Sequence, residues 1–139
     1  MRAQGDFCTV GRMAAPPKRV LVVDDDDDLR ELLALIVQRA GFQAETAWDG
    51  LQAVEGIEKD PPDLIIMDLM LPRYGGFEIL RRLQRGPLAR LPVIVVTGRY
   101  NDPAMAALIR AESNVAEFLS KPVNTETLSA ALRRLLAAA

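Results

Sequence analysis

Acidic side chains stand directly after two apolar stretches of this sequence. Asp24 and Asp25, the first of five consecutive aspartates, follow Val20 to Val23, and Asp68 follows Leu64 to Met67. Adjacent carboxylates repel one another and raise each other's pKa, so such a cluster is costly unless water or a cation neutralises it. Carboxylate oxygens with open positions for water suit Mg²⁺, which prefers octahedral oxygen coordination. These residues therefore indicate a magnesium site.

A hydroxyl and an ammonium group follow two further apolar stretches. Thr97 comes after Val93 to Val96, and Lys121 comes two residues after Val115 to Leu119. A carboxylate beside a cation can attack phosphorus and form an aspartyl phosphate. A lysine can then pair with one phosphoryl oxygen while a threonine hydroxyl donates a hydrogen bond to another. The whole set predicts phosphoryl transfer to an aspartate.

The elements that position these side chains alternate between short apolar runs and helical stripes. Branched aliphatic runs at 20–23, 64–67 and 93–96 indicate strands buried on both faces of a parallel sheet, and 42–47 and 115–119 complete the set. Helical stripes lie between them, and the first ends before Gly41. Five strand–helix units predict an α/β fold with a doubly wound parallel sheet, whose ligand crevice lies at the carboxyl ends of the strands.

Length and composition limit the classes of function. The 139 residues predict one domain at 19–139, preceded by a flexible extension at 1–18 that lacks periodicity and ends in Pro16-Pro17-Lys18. A net charge of -2 argues against nucleic-acid binding. No stretch is long enough to span a membrane, and the amino terminus lacks a signal-peptide core. With Cys8 as the single cysteine, we expect a cytoplasmic protein.

Other notable residues receive structural interpretations. Asp26, Asp27 and Asp28 are interpreted as an N-cap and first helical turn, since the helix dipole favours acidic side chains there. Trp48 is expected to pack between the second strand and its helix. The basic residues after position 80 are interpreted as the solvent face of the third helix: Arg81, Arg82, Arg85 and Arg90.

Four stretches of the sequence together resemble the receiver domain of two-component response regulators. They read VLVVDDDDDLREL, PDLIIMDLMLPRYGGFEIL, LPVIVVTG and EFLSKPV, and the resemblance covers about residues 19 to 136. It implies a flavodoxin-like (CheY-like) fold with strand order 2-1-3-4-5. It also implies that Asp68 is the phosphoacceptor and Lys121 the phosphate-pairing lysine, with Thr97 and Phe118 as a coupled switch.

The resemblance extends to the metal and to local backbone geometry. It implies that Asp25 binds Mg²⁺ directly and Asp24 binds it through water, with the Met70 carbonyl as a further ligand beside Asp68. It also implies a cis peptide bond between Lys121 and Pro122. The segment AESNVAEF departs from the family, which usually has a glycine-alanine pair there, so we expect an irregular entry into the fifth strand.

The resemblance further implies partners for this chain. The phosphoryl donor would be a sensor histidine kinase or a histidine phosphotransfer protein, because the chain contains no histidine of its own. No output domain is expected after the fifth helix. The signal would therefore act in trans on a downstream protein, or through a homodimer, at the face of the fourth helix, fifth strand and fifth helix. Beyond its own phosphorylation and dephosphorylation, no enzymatic activity is expected.

A phosphohydrolase of the haloacid dehalogenase type is the alternative. That family also uses strand-end aspartates, Mg²⁺ and an aspartyl phosphate, with its nucleophile on the first strand and a second aspartate two residues later. Asp24 and Asp26 match this spacing, although no threonine follows them and no cap domain is present. Identification of the phosphorylated residue separates the two functions, since Asp68 indicates a receiver and Asp24 a hydrolase.

Overall fold

Strands and helices alternate along the computed structural model, which describes residues 17–71, 73–98 and 103–136, with Met105 described by its backbone alone. The elements are β1 (Arg19–Val23), α1 (Asp27–Arg39), β2 (Gln43–Ala47), α2 (Gly50–Lys59), β3 (Leu64–Met67), α3 (Gly76–Gln84), β4 (Val93–Thr97), α4 (Pro103–Arg110), β5 (Val115–Ser120) and α5 (Thr125–Leu136). Most of the expected amino-terminal extension, residues 1–16, lies outside the described residues.

The five strands form one sheet in the order β2-β1-β3-β4-β5, and every pair is parallel. The predicted doubly wound, flavodoxin-like fold is therefore confirmed. Strand boundaries differ slightly from the sequence prediction, since β2 begins at Gln43 and β5 extends to Ser120. Within the described residues, no helix is long and apolar enough to cross a bilayer.

Two hydrophobic cores lie on opposite faces of the sheet. Val20 and Val22 of β1 pack in the core beneath α1 and α5, whereas Leu21 and Val23 pack in the core beneath α2, α3 and α4. Successive side chains of a strand point to opposite faces, so a strand covered on both sides must be apolar throughout. Full burial of such a side chain stabilises the fold by about 1.5–3 kcal/mol. These cores hold the strand ends in fixed positions.

The acidic run after β1 continues into the amino-terminal turn of α1. The Asp26 carboxylate accepts hydrogen bonds from the backbone N–H groups of Asp28 and Leu29, and Asp27 and Asp28 are exposed in the first turn. Their predicted role as a cap and first turn is confirmed. At the other end of the helix, Gly41 adopts φ +100°, which glycine reaches without a steric penalty.

An extra residue interrupts the pairing of β5 with β4. Val93 is paired with Val115 and Ile94 with Glu117, so Ala116 has no counterpart. One additional residue reverses the alternation of side chains along a strand. Val115 and Phe118 consequently pack against the same core. The predicted irregular entry into the fifth strand is confirmed, and it determines the face of the sheet on which Phe118 lies.

Two of the structural interpretations need correction. Trp48 is 57% exposed and is not packed between β2 and α2, because it follows the strand in the connection to the helix. Arg81, Arg82 and Arg85 are exposed on α3 or at its carboxyl end, as interpreted, but Arg90 is not part of that helix. Arg82 pairs with Glu58 of α2 and Arg81 pairs with Glu112, while Arg90 lies beyond α3.

Asn114 connects α3 to the start of β5 through a buried side chain. Its Nδ2 donates to the Leu80 carbonyl at 3.1 Å, and its Oδ1 accepts from Gln84 Nε2 at 2.8 Å. Its backbone carbonyl also accepts a hydrogen bond from the Val93 N–H. Asn114 is 4% exposed, so water has little access to the atoms that its side chain contacts. The Leu80 carbonyl therefore needs the Asn114 amide as a hydrogen-bond partner.

We expect Asn114→Ala to lower the free energy of unfolding by about 1–3 kcal/mol, because a buried carbonyl loses its side-chain partner. Denaturant unfolding monitored by circular dichroism measures this change. Gln84→Ala is the matched control and should cost less, since Gln84 is half-buried and water can replace its amide. Equal losses in the two variants would contradict this role of Asn114.

Candidate functional site

An open pocket of about 640 Å³ lies at the carboxyl edge of the sheet. It is lined by residues that follow the carboxyl ends of β1, β3, β4 and β5. The lining residues are Asp24, Asp25, Asp26, Asp68, Met70, Gly98 and Lys121. Of the side chains predicted to converge from separate strand ends, Asp24, Asp25, Asp68 and Lys121 lie in this crevice, whereas Thr97 is not among its lining residues.

Backbone hydrogen bonds fix the two buried carboxylates of the pocket. The Asp24 N–H donates to the Ala47 carbonyl at the end of β2, and the Asp68 N–H donates to the Val23 carbonyl at the end of β1. Asp24 is 1% exposed and Asp68 is 7% exposed, whereas Asp25 is exposed. One oxygen from each of the three carboxylates lies within 4.8 Å of the others. The sheet thus holds three acidic groups close together.

The Lys121 side chain extends from the end of β5 to these carboxylates. Its Nζ lies 2.7 Å from Asp68 Oδ2 and 3.3 Å from Asp24 Oδ2. A Cβ on Gly98 would lie 3.2 Å from the Lys121 Cβ, so glycine leaves room for the lysine stem. The Lys121 backbone N–H donates to the Thr97 carbonyl, and the Lys121–Pro122 peptide bond is cis, as predicted.

The charges in the pocket shift the pKa values of its members. Burial raises the pKa of Asp24, and the Asp68 charge adds to this, although the Asp26 N–H and Lys121 act in the opposite direction. Burial alone would lower the pKa of Lys121, but its hydrogen bond to Asp68 and the two nearby carboxylates outweigh this effect and raise it. The ammonium is therefore charged at neutral pH, while ionised Asp24 remains costly to the fold.

Polar atoms inside the site have unused hydrogen-bonding capacity. Thr97 is 1% exposed, and its Oγ1 has no hydrogen-bond partner among the described residues. The same holds for Asp24 Oδ2, although the Lys121 ammonium lies within ion-pair distance. Buried polar atoms of folded proteins are nearly always paired, so both atoms indicate that the site accommodates a further polar group.

The three carboxylates fit a divalent cation. Two oxygens that bind one Mg²⁺ at about 2.1 Å can lie at most about 4.2 Å apart, so oxygens within 4.8 Å need only small side-chain adjustments. Hard oxygen donors and an open side for water are also the features that Mg²⁺ prefers. The acidic cluster of Asp24, Asp25 and Asp68 could therefore bind a metal.

Phe118 lies on β5 beside β4, where Val95 is its paired residue. Its ring is half-buried, and the Arg110 guanidinium carbon stands 5.1 Å from the ring centroid. This cation–π contact was not anticipated from the sequence, because the two residues belong to different elements and no local pattern connects them. Arg99 and the neighbouring residues through 102 lie outside the described part of the chain.

The sequence interpretation also missed the contacts of three polar residues, which follow β1, β2 and β3 in the chain. Arg30 donates from Nη1 to the Asp24 carbonyl at 2.8 Å, and Asp49 caps α2 while its Oδ2 lies 3.5 Å from Arg73 Nε. Asp49 stands two residues after the end of β2, and an aspartate at this place is a recognisable helix N-cap. The pairing with Arg73 depends on tertiary contact and leaves no such signal.

A family model described as "Response regulator receiver domain" matches residues 20–133. The chain belongs to the response regulator receiver domain family. Transcriptional regulatory protein TrcR of Mycobacterium tuberculosis is 34% identical over 132 residues, which cover 95% of this chain and 50% of that protein. Response regulator MprA of the same species is 38% identical over 118 residues, covering 85% and 50% respectively. The receiver chain spans about half the length of these curated relatives.

Solved receiver structures share the fold. CheY4 of Vibrio cholerae has a TM-score of 0.77 and 31% identity, covering 86% of this chain and 99% of its own. The receiver domain of a signal transduction histidine kinase from Syntrophus aciditrophicus has a TM-score of 0.78 and 31% identity, with coverages of 87% and 91%. The receiver of sensor histidine kinase PA1611 from Pseudomonas aeruginosa, at 23% identity, has a TM-score of 0.77 with coverages of 87% and 98%.

Family membership establishes the general role of the domain. Receiver domains are signalling phosphoacceptors of two-component systems and interact with histidine kinases.

We expect Asp24→Asn to raise the melting temperature of the metal-free protein by a few degrees. Because burial raises the pKa of Asp24, its ionised form destabilises the fold, and this cost appears as the pH rises through the raised pKa. The gain should shrink in acid, where Asp24 is protonated. Thermal unfolding in chelator at several pH values measures both effects.

Asp25→Asn is the matched control, since Asp25 is exposed and its charge is screened by water. It should leave the metal-free melting temperature nearly unchanged. The melting temperature of the wild type should rise with Mg²⁺, and both variants should weaken that rise. A wild type that does not respond to Mg²⁺ would contradict metal binding at this cluster.

Proposed function

We propose that this receiver accepts a phosphoryl group on Asp68 from a phosphohistidine of a partner histidine kinase or histidine phosphotransfer protein. The observation that carries the proposal is the position of Lys121 Nζ, 2.7 Å from Asp68 Oδ2, inside a pocket open to solvent. A lysine at this distance can follow the carboxylate oxygen as it becomes bonded to phosphorus. Since the chain has no histidine, the donor imidazole belongs to another molecule.

The transfer exchanges one bond to phosphorus for another. An Asp68 oxygen attacks the phosphorus atom, the bond from phosphorus to the donor nitrogen breaks, and its electron pair stays on the imidazole. Lys121 then pairs with a phosphoryl oxygen, and Thr97 Oγ1 donates its free hydrogen to another. The ion pair of Lys121 with Asp68 supports this scheme, in which positioning and charge neutralisation supply most of the catalysis.

Mg²⁺ is the proposed cofactor of this step. Asp24, Asp25, Asp68 and the Met70 carbonyl would hold it, with Asp25 binding directly and Asp24 through water. When bound, the ion neutralises negative charge on the phosphoryl oxygens and on the carboxylates. The PA1611 receiver is described with a magnesium ion coordinated in its active-site cleft. The carboxylate geometry of the present chain supports the same ion here.

Asp24 is less accessible than Asp68, which weighs against the hydrolase alternative. Asp24 is 1% exposed, whereas Asp68 is 7% exposed. A hydrolase of that type would need Asp26 as an acid or base. The Asp26 carboxylate instead accepts hydrogen bonds from backbone N–H groups as the N-cap of α1. The family match agrees with Asp68 as the acceptor.

We expect Asp68→Asn to abolish labelling by a small acyl phosphate or by a phosphorylated histidine kinase domain. Asparagine keeps the shape of the side chain but is not a nucleophile. Asp24→Asn should retain slow labelling, because it leaves the acceptor in place. Borohydride trapping followed by mass spectrometry identifies the modified residue. Label on Asp24 in the wild type would support the hydrolase instead.

The proposed output surface is the face formed by α4, β5 and α5. Two observations support this choice: Phe118 of β5 is contacted by Arg110 of α4, and Thr97 ends β4, the strand paired with β5. Leu108 of α4 is 59% exposed, and Arg134 of α5 pairs with Glu117 of β5 at 2.6 Å. A face that carries both an exposed hydrophobic side chain and charged residues is suited to docking on another protein or on a second copy of the domain.

Phosphorylation would change this surface by a population shift. Hydrogen bonding of Thr97 Oγ1 to the phosphoryl group draws the side chain toward Asp68 and vacates space for Phe118. The phosphoryl group can shift the ratio of the two Thr97 and Phe118 arrangements only if it interacts more favourably with one of them. In the arrangement described here, the Arg110 contact stabilises the present position of the Phe118 ring.

We expect Arg110→Ala to bind beryllofluoride, a mimic of the phosphoryl group, about two- to five-fold more tightly. An exposed cation–π contact is worth about 0.5–1 kcal/mol, and its removal favours the alternative position of the ring. Calorimetric titration in the presence of Mg²⁺ measures the change. Arg134→Ala is the control, since Arg134 is an exposed arginine of the same face that pairs with Glu117. Unchanged affinity in Arg110→Ala would contradict the coupling.

A further inference from the structure

The segment that follows Asp68 is packed on the amino terminus of α2. We define the acceptor loop as the described residues between β3 and α3 that follow Asp68, namely 69–71 and 73–75. Its two ends are joined by a hydrogen bond from the Gly76 N–H to the Leu69 carbonyl at 3.1 Å. A Cβ on Gly76 would lie 2.7 Å from the Leu69 Cα, so the ends touch closely. The loop therefore has little freedom to deform locally.

Gly50, the first residue of α2, has a steric role in this packing. A Cβ on Gly50 would lie 1.7 Å from the Tyr74 carbonyl oxygen, whereas contacts under 3.0 Å are essentially never seen. The obstacle is backbone, which cannot rotate away as a flexible side chain can. Gly50 does not have a positive φ, so an alanine would be compatible with its backbone conformation. The glycine is thus required only by the close approach of the loop.

Asp49 adds an electrostatic contact beside this steric one. The residue is 4% exposed, its Oδ1 accepts the Gln52 N–H at 2.8 Å, and its Oδ2 lies 3.5 Å from Arg73 Nε. Arg73 adopts φ +71°, which is uncommon for a residue other than glycine. A residue remains in such a conformation only where its surroundings fix it. The buried carboxylate of Asp49 is the ion-pair partner that meets Arg73 here.

Movement of the loop would reach the phosphoacceptor through Met70. The Met70 N–H donates to Asp68 Oδ1 at 2.9 Å, and the same residue supplies the carbonyl proposed for the metal. Because Gly76 and Leu69 hold the two ends together, we expect displacement of Tyr74 to be passed on to Met70. A shift of about 1 Å in a reacting group can lower a rate by about 100-fold.

We propose that Asp49 and Gly50 are positioning residues for phosphoryl transfer, which act by holding the acceptor loop against α2. They touch neither Asp68 nor the phosphoryl group. Through Tyr74 and Arg73 they set the position of the Met70 backbone, and through it the orientation of the Asp68 carboxylate. This inference rests on the proposed function of Asp68.

The test compares two glycines of the same helix. Gly50→Ala must displace the Tyr74 carbonyl by more than about 1 Å, and we expect a loss of about 10- to 100-fold in Mg²⁺ affinity and in the rate of Asp68 labelling by a small acyl phosphate. Gly56→Ala meets nothing within 4 Å and should match the wild type in both measurements. Amide hydrogen exchange of the metal-free proteins should show faster exchange of the Met70 N–H in Gly50→Ala alone.

Asp49→Asn tests the ion pair without loss of the helix cap, because asparagine caps helices as well as aspartate does. We expect unchanged helix content, faster exchange of the Met70 N–H, and a two- to three-fold loss of Mg²⁺ affinity. This variant decides the matter if Gly50→Ala fails to fold. If Gly50→Ala folds and has the Mg²⁺ affinity, labelling rate and Met70 N–H exchange of the wild type, the inference is overturned. If Gly50→Ala does not fold, the same wild-type values in Asp49→Asn overturn it.

The controls separate this inference from the proposed function. Labelling of the wild type and Gly56→Ala, but not of Asp68→Asn, shows that the receiver function holds, and the result for Gly50→Ala then decides the positioning role alone. If the wild type is neither labelled nor stabilised by Mg²⁺, the proposed function fails and this inference fails with it.

Discussion

The repulsion between two buried carboxylates is the constraint on which the rest of the site depends. Asp24 and Asp68 cannot move apart, because their backbone N–H groups continue the sheet hydrogen bonding at the ends of β2 and β1. The apolar cores on both faces of the sheet fix those strand ends in turn. Lys121 is the cation that the described part of the chain itself places between the two carboxylates. Burial still raises the pKa of Asp24 despite this ammonium. The fold therefore maintains an excess of negative charge that a divalent cation would relieve.

Two neighbouring strands connect this charged site to the outer surface. Lys121 and Thr97 are linked through a backbone hydrogen bond where β4 and β5 end, so the backbones that carry the lysine and the hydroxyl are held together. The extra residue Ala116 turns Phe118 toward the core beneath α4, where Arg110 contacts its ring. Without that bulge, the alternation of side chains would direct Phe118 to the opposite face. The same irregularity that interrupts the pairing therefore places the aromatic ring next to the proposed output surface.

The sequence was sufficient to predict most of the fold and the members of the acidic pocket, for a physical reason. Strands such as Leu64 to Met67 must be apolar at every position when both faces are covered, and polar residues directly after them must meet at one edge of a parallel sheet. Such short runs of residue types can be read from the sequence, and they determine the sheet and the edge at which the polar residues meet. Trp48 was misplaced because its exposure depends on where β2 ends, which is fixed by pairing with β1. The Arg73 contact with Asp49 and the Arg110 contact with Phe118 join distant segments, and no spacing rule relates such pairs.

Formal charge indicates how the proposed site could transmit a signal. The three carboxylates and Lys121 carry a net charge of about minus two at neutral pH, and a bound Mg²⁺ would bring the site close to neutrality. Conversion of an ionised carboxylate into an acyl phosphate dianion would then add only about one negative charge. The electrostatic change on phosphorylation is thus smaller than the change on metal binding. A response that distinguishes the phosphorylated from the merely metal-bound domain must therefore depend on directed hydrogen bonds. The proposed donor is the Thr97 hydroxyl, which has no hydrogen-bond partner among the described residues.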